Sequence, residues 1–137
     1  MAAFSALWRA YGEGRLDRAL HLVDPECEFT LTDGRSYRGR DGIREYLETT
    51  RRDWRTVAIT YDDIREEGPG CVIGIGRVAA SSADGRVSFE RPQACVAEFR
   101  DGLFVRCRVF GDPAEAAVYA AEIAADRAAE RDRPPRA

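Results

Sequence analysis

Residues Ala94-Cys-Val-Ala-Glu-Phe-Arg-Asp-Gly-Leu-Phe-Val-Arg-Cys-Arg-Val-Phe110 decide the fold. Apolar and polar side chains alternate on both sides of Asp101-Gly102, the pattern of a β-hairpin whose strands each bury one face. An Asp-Gly turn is either a two-residue hairpin or a three-residue loop with Gly in the left-handed position. A one-residue slip between the two sends every side chain to the opposite face. The two-residue option sets Cys95, Ala97 and Phe99 beside Phe104, Arg106 and Arg108. The three-residue option pairs Phe99 with Leu103 and gathers Cys95, Ala97, Phe99, Leu103, Val105, Cys107 and Val109 on one wholly apolar face. That register is the one expected. Ala94, Val96, Glu98, Arg100, Phe104, Arg106, Arg108 and Phe110 then share the other face.

The same rule at Ala83-Asp84-Gly85 pairs Ser82 with Arg86. It extends the apolar face through Cys71, Ile73 and Ile75, turns it polar at Arg77, Arg91 and Gln93, and leaves Gly74 and Gly76 on the opposite face. A sheet face with that gradient, under helices carrying Trp8 and Tyr11, describes a small-molecule pocket. A plain core with edge arginines reaching solvent is the alternative. On the opposite face, Glu98 lies between Arg106 and Arg108 amid Val96, Phe104 and Phe110, the mixture a homodimer face needs. A solvated sheet face with an ion pair has the same composition.

Outward from the hairpin, Phe4, Leu7, Trp8 and Tyr11 recur at helical spacing up to the breaker Gly12-Glu13-Gly14. A short helix follows with Leu16, Ala19, Leu20 and Val23 on its stripe, and His21 falls off that stripe, in solvent. Cys27, Phe29 and Leu31 alternate with Glu28, Thr30 and Thr32 as a half-buried strand; Asp33-Gly34 turns the chain, and Ser36-Tyr37-Arg38 is extended. Ile43, Tyr46 and Leu47 mark a third helix to about Arg52. Strands are expected over 55–67, 71–82, 86–100 and 103–110. Asp112-Pro113-Ala114-Glu115 then opens a helix carrying Val118, Tyr119 and Ile123. Helices, an antiparallel meander and a final helix make an α+β chain: one domain over 1–131 and a flexible tail over 132–137.

Composition narrows the chemistry. The chain has 137 residues, 45% hydrophobic and 33% charged, the balance of one soluble globular domain. All 21 basic residues are Arg, and there is a single His. Without Lys there is no Schiff base and no Walker-type phosphate loop. One His excludes a two-His zinc site, and Cys27, Cys71, Cys95 and Cys107 lack zinc-site spacing, so neither metal nor cofactor is expected. A net charge of -3 with interspersed signs argues against a nucleic-acid partner. No apolar run approaches ~18 residues, and Met1–Ala10 is too short and polar for a signal peptide, so a cytoplasmic protein without membrane contact is expected. Its thiols are read as reduced. Cys95 and Cys107 would be cross-strand neighbours on an apolar wall, where a reactive thiolate is disfavoured.

Three segments carry a resemblance: Gly14-Arg-Leu-Asp-Arg-Ala-Leu with Asp24-Pro-Glu-Cys-Glu-Phe29, Tyr37-Arg-Gly-Arg-Asp-Gly-Ile-Arg44, and Phe99-Arg-Asp-Gly-Leu-Phe-Val-Arg106. Over roughly residues 3–125 the chain resembles the SnoaL-like branch of the nuclear-transport-factor-2-like superfamily. The resemblance implies a conical α+β fold, with a curved antiparallel sheet wrapped by N-terminal helices around a pocket, a C-terminal helix, and often a sheet-mediated dimer. It implies a range of activities: polyketide cyclases, ketosteroid isomerases, epoxide hydrolases, dehydratases and non-catalytic members.

Carried over position by position, the catalytic sets are missing. The isomerases' oxyanion-binding Tyr on the first helix matches Leu7, their general-base Asp falls near Phe29 or Thr30, and their second oxyanion donor matches Ala97. The cyclases' His and Asp on the last strand match Cys107 and Val109. The epoxide hydrolases' Asp-Arg-Asp group would be imitated only in part, by Arg77 with Glu28. Weak catalytic candidates are therefore Glu28, Tyr37 and Arg77. Expected pocket residues are Trp8, Tyr11, Phe29, Trp54, Ile75, Arg91, Gln93, Cys95, Ala97, Cys107 and Val109. A small apolar or weakly anionic ligand fits that set, held at its polar end by Arg77 and Arg91. Such a protein is an isomerase, cyclase or dehydratase on an oxygenated substrate, a non-catalytic binding or dimerisation module, or an epoxide-hydrolase-like enzyme.

Overall fold

The computed structural model describes residues 2–132. In chain order the elements are α1 (Ala2–Gly12), α2 (Leu16–Leu20), β1 (Val23–Thr30), β2 (Ser36–Arg38), α3 (Gly39–Asp53), β3 (Trp54–Glu66), β4 (Cys71–Ser82), β5 (Ser88–Arg100), β6 (Leu103–Phe110) and α4 (Pro113–Asp132). The strands form one curved, unclosed sheet in the order β2-β1-β6-β5-β4-β3. Every pairing is antiparallel except β1 with β6, which run parallel. The α+β class and the helix–meander–helix order are as expected. Of the expected tail, Asp132 is still helical and residues 133–137 lie outside the described residues.

At the β5–β6 turn the expected three-residue loop is not formed. Arg100 pairs with Leu103 across a two-residue turn in which Asp101 (φ +54°) and Gly102 (φ +80°) are both left-handed. The register then shifts between Glu98 and Phe99, so that Glu98 faces Arg106 and Val105 is the extra residue of a bulge. A tight turn plus one bulge restores the expected faces beyond it: Cys95, Ala97, Cys107 and Val109 share the inner face. Between bulge and tip the assignment inverts. Phe104, expected outside, turns in against Phe99 at 4.4 Å and Phe4 at 6.3 Å, and Leu103 and Val105 do not join that core.

At the β4–β5 turn the loop is one residue longer than expected. Asp84 Oδ1 accepts hydrogen bonds from Ser82 Oγ and from the Arg86 N–H, which pulls Arg86 into the loop. The Ser82 N–H then donates to the Val87 carbonyl, and Ser81 pairs with Ser88. That single residue inverts β4 relative to β5. Cys71, Ile73, Ile75 and Arg77 lie on the outer face, and Val72, Gly74, Gly76 and Val78 on the inner one. Gly74 and Gly76 are needed where they now stand. A Cβ at Gly74 would come within 2.7 Å of the Phe4 ring, and one at Gly76 would collide with the Thr60 carbonyl beside the β3 bulge.

Two cores result. Inside the curve, Phe4, Tyr11, Leu20, Cys27, Ile43, Leu47 and Phe104 pack between the sheet and α1–α3. Outside it, Ala116 and Ala120 of α4, both 0% exposed, sit on Cys71, Ile73, Ala94 and Val96. Glu98 pairs with Arg106 of β6 at 3.2 Å and fastens the far half of α4 through Arg127 at 3.6 Å. The Arg127 side chain also donates to the Phe99 carbonyl. Val96 and Phe110, read from the sequence as part of a homodimer face, are thus covered by the chain's own helix.

Candidate functional site

The open end of the curve holds a cavity of about 560 Å³. Its walls follow from local periodicities. On α1, Trp8 and Tyr11 are one turn apart; on α3, Tyr46, Leu47 and Thr50 continue the stripe that begins at Ile43. Phe29 of β1 and Tyr37 of β2 are directly paired across the strands and both face in. Phe89, Arg91 and Gln93 alternate along β5, opposite Ala80, Val78 and Gly76 of β4. Trp54, Val57 and Ile59 close the β3 side.

Most of this wall is aromatic. Tyr46 lies 5.1 Å from Phe29 and 5.2 Å from Tyr37, ring centre to ring centre, and Trp54 stands edge-on to Phe89 at 5.3 Å. Beneath the cavity is a void of about 40 Å³ lined by Leu7, Val23, Cys27, Phe104 and Cys107. Its lining is wholly apolar, so it offers a bound water no hydrogen-bond partner.

The polar groups are few. Gln93 Nε2 donates to Tyr61 Oη at 2.9 Å. Burial pushes the Tyr46 phenol up to about 12, and raises Tyr61 and Tyr11 above the ordinary tyrosine value, Tyr11 against the opposing pull of Arg51. At neutral pH these hydroxyls are therefore protonated. The Trp8 indole N–H is buried and has no acceptor among the described residues. Arg91 stacks over Phe89 at 4.3 Å and forms no ion pair among the described residues. Arg35, also at the rim, is held by Asp33 at 2.7 Å, and the Arg35 backbone N–H lowers the Asp33 carboxyl. Asp53, the other carboxylate in the lining, stands at the exposed C-terminal end of α3. The described walls thus offer donors, with their carboxylates confined to the rim.

The residues singled out in the sequence separate into three groups. Trp8, Tyr11, Phe29, Tyr37, Trp54, Arg91, Gln93 and Val109 line the cavity. Cys95, Ala97 and Cys107 lie deeper on the same face, as core beneath it, with Cys107 bordering the small void. Ile75, Arg77 and Glu28 are elsewhere. Ile75 packs on the outer side with the α4 cluster, because the longer Asp84 loop reverses β4. Arg77 is on the outer face for the same reason, 3.0 Å from Asp62 and 3.3 Å from Glu90, all three half exposed. An arginine between two acids is present, but outside the cavity. Glu28 alternates outward between Cys27 and Phe29 and pairs with Arg38 at 3.1 Å. Two strands, β6 and β5, separate it from Arg77, so the two do not act together.

Tyr46, Thr50, Phe89, Arg35 and Asp53 were missed. Phe89 had a legible signal, since it alternates with Arg91 and Gln93. Tyr46 was legible as buried, but its aim into the cavity depends on how α3 packs on β1.

The SnoaL-like domain family matches residues 4–107 of the chain. No curated protein matches it. Among solved structures, an NTF2-like protein of unknown function from Burkholderia pseudomallei is 18% identical, with a TM-score of 0.74 over 86% of this chain and 94% of that one. TerC co-crystallised with polyporic acid is 18% identical, TM-score 0.73, over 88% and 96%. A protein with a ketosteroid isomerase-like fold from Catenulispora acidiphila, in complex with trimethylamine, is 14% identical, TM-score 0.72, over 79% and 83%. At these identities the structural likeness speaks of fold alone.

Proposed function

Since the chain belongs to the SnoaL-like domain family, we propose that its cavity binds a small, largely apolar, oxygenated molecule through aromatic contacts and hydrogen-bond donors. One observation carries this reading. A cavity of about 560 Å³, within the usual size range of ligand sites, is walled by Trp8, Phe29, Tyr37, Tyr46, Trp54 and Phe89. Buried protonated phenols polarise or orient a ligand oxygen; they do not abstract a proton. The positions matching the family's acid–base sets, Ala97, Cys107 and Val109, are buried and apolar. Binding and orientation are therefore favoured over isomerase or cyclase chemistry that needs an internal base. An epoxide-hydrolase-like reading loses its support with Arg77 and its acids on the outer face. A weakly anionic group on the ligand would be met by Arg91 at the rim. We also propose a cytoplasmic setting, in keeping with the free thiols.

The test is a thermal-shift screen with hydroxylated aromatic quinones, steroids and small carboxylates. We expect a rise in Tm with at least one oxygenated aromatic compound, reduced in Trp54→Ala and Tyr37→Phe. Arg91→Met should weaken only anionic ligands, and Arg77→Met should leave affinity unchanged. If no compound shifts Tm, or the shift survives every cavity substitution, the reading is wrong.

A further inference from the structure

Two of the four cysteines form a pair. Cys95 on β5 and Cys107 on β6 both point to the inner face and are 0% and 2% exposed. Cys95 is opposite Val109 and Cys107 opposite Ala97, so the two are diagonal neighbours, and their sulfurs are 2.9 Å apart. Non-bonded carbon atoms rest at about 3.5–4.0 Å, and sulfur is larger than carbon. A disulfide bond measures about 2.05 Å, so closure requires the sulfurs to approach by less than about 1 Å. The other two thiols are placed differently: Cys27 Sγ meets its own neighbour's carbonyl, Glu28 O, at 3.9 Å, and Cys71 is under α4. Cys107 borders the void beneath the cavity, and its volume of about 40 Å³ is room for a molecule the size of hydrogen peroxide.

We propose that Cys95 and Cys107 are a reversible dithiol–disulfide site in the floor of the cone, oxidised by a small hydroperoxide. One sulfur, as its thiolate, attacks the peroxide and breaks the O–O bond. The distal oxygen stays on sulfur as sulfenic acid, and the alkoxide takes up the released proton and leaves as the alcohol (water, for hydrogen peroxide). The second sulfur attacks the sulfenic sulfur, the S–S bond forms, the S–O bond breaks, and water leaves with the second thiol's proton. The two thiols lose two electrons and two protons, and the peroxide is reduced by the same amount. A small dithiol reductant reverses the change by thiol–disulfide exchange. The contact with the Cys95 thiol, together with burial, raises the Cys107 thiol well above its ordinary value, so the first step speeds up as pH rises.

The experiment exposes the purified full chain to hydrogen peroxide, then denatures it, alkylates the remaining thiols and maps the peptides. The expected product is lighter by two hydrogens, carries a Cys95–Cys107 linked peptide, keeps Cys27 and Cys71 alkylated, and returns to four alkylated thiols after dithiothreitol. Cys95→Ser and Cys107→Ser should each abolish the linked peptide. The wild-type map decides the matter even if a variant does not fold. Four free thiols after oxidation, a different linkage, or products that stop at sulfenic or sulfinic acid overturn the proposal. Because the map is read without any cavity ligand, its outcome is independent of the binding reading.

Discussion

The inner and outer faces of β4, β5 and β6 are made from alternate residues of the same strands, yet the inner one bounds an aromatic-walled cavity of about 560 Å³, while the outer one is closed where Ala116 and Ala120 of α4 lie on it and opens into a polar cleft beside Glu98, Arg106 and Arg127. Side-chain size accounts for the difference. Outside, Cys71 and Ala94 meet Ala116 and Ala120, all 0% exposed, and small residues let helix and sheet approach closely. Inside, Trp8, Phe29, Tyr46 and Phe89 are too bulky to interleave fully and hold α1 and α3 away from the sheet. Large apolar residues thus do opposite things in the two halves of the cone. At its closed end Phe4, fully buried against Tyr61 and Phe104, fills space; at the open end similar rings leave it free.

Four substitutions and one titration test that contrast, in descending order of effect. Phe4→Ala removes the ring that plugs the closed end and should cost about 3–5 kcal/mol in urea denaturation. A loss below about 1 kcal/mol would show the closed end to be as loosely filled as the open one. Ala120→Leu overpacks the α4 contact and should cost about 1–3 kcal/mol, whereas Ala80→Leu, on the cavity wall, should cost less than about 1 kcal/mol while reducing ligand affinity. Equal costs would remove the distinction between the faces. Glu98→Gln loosens the anchorage of α4 and should cost about 1 kcal/mol, limited because the Arg127 pair is long at 3.6 Å and the second partner, Arg106 of β6, is half exposed. Hydrogen exchange should rise around Arg127 and stay unchanged in α1.

The smallest effect concerns thiols. Burial pushes Cys27, on the inner face, up to about 12 and Cys71, on the outer face, to about 11, so thiolate absorbance should report Cys71 before Cys27. Both values lie above the ordinary 9.0, so the folded state holds these protons more tightly than the unfolded chain. The resulting stability is complete below about pH 9 and is lost as pH rises through the folded values. The urea midpoint should therefore fall as pH rises from about 9 to about 11; a midpoint that rises would reverse the sign.

Much of the fold was legible because alternation and turn residues are local signals. β4 and β6 begin and end where the pattern placed them, and α1 stops at Gly12. The site was legible where a residue's facing follows from its own element. Phe29 and Tyr37 needed only their strand, and Trp8 and Tyr11 only their helix. It was illegible where facing depends on another element. A three-residue loop at Asp84 puts Ile75 and Arg77 inside, and one hydrogen bond from the Arg86 N–H to the Asp84 side chain puts them outside. Hydrogen bonds of that kind contribute about 1 kcal/mol, well below what a sequence pattern resolves.

By itself the sequence determined the α+β order of elements, the family likeness, and the absence of Lys and of a second His from any site. Only the tertiary structure decided which face of β4 looks inward, that Val105 bulges and turns Phe104 into the core, that α4 covers Val96 and Phe110, and that Cys95 and Cys107 touch. The physical reason is that alternation specifies a period without a phase. The phase is set by loop hydrogen bonds, bulges and packing between residues distant in the chain, such as Phe104 on Phe4 and Arg127 on Glu98.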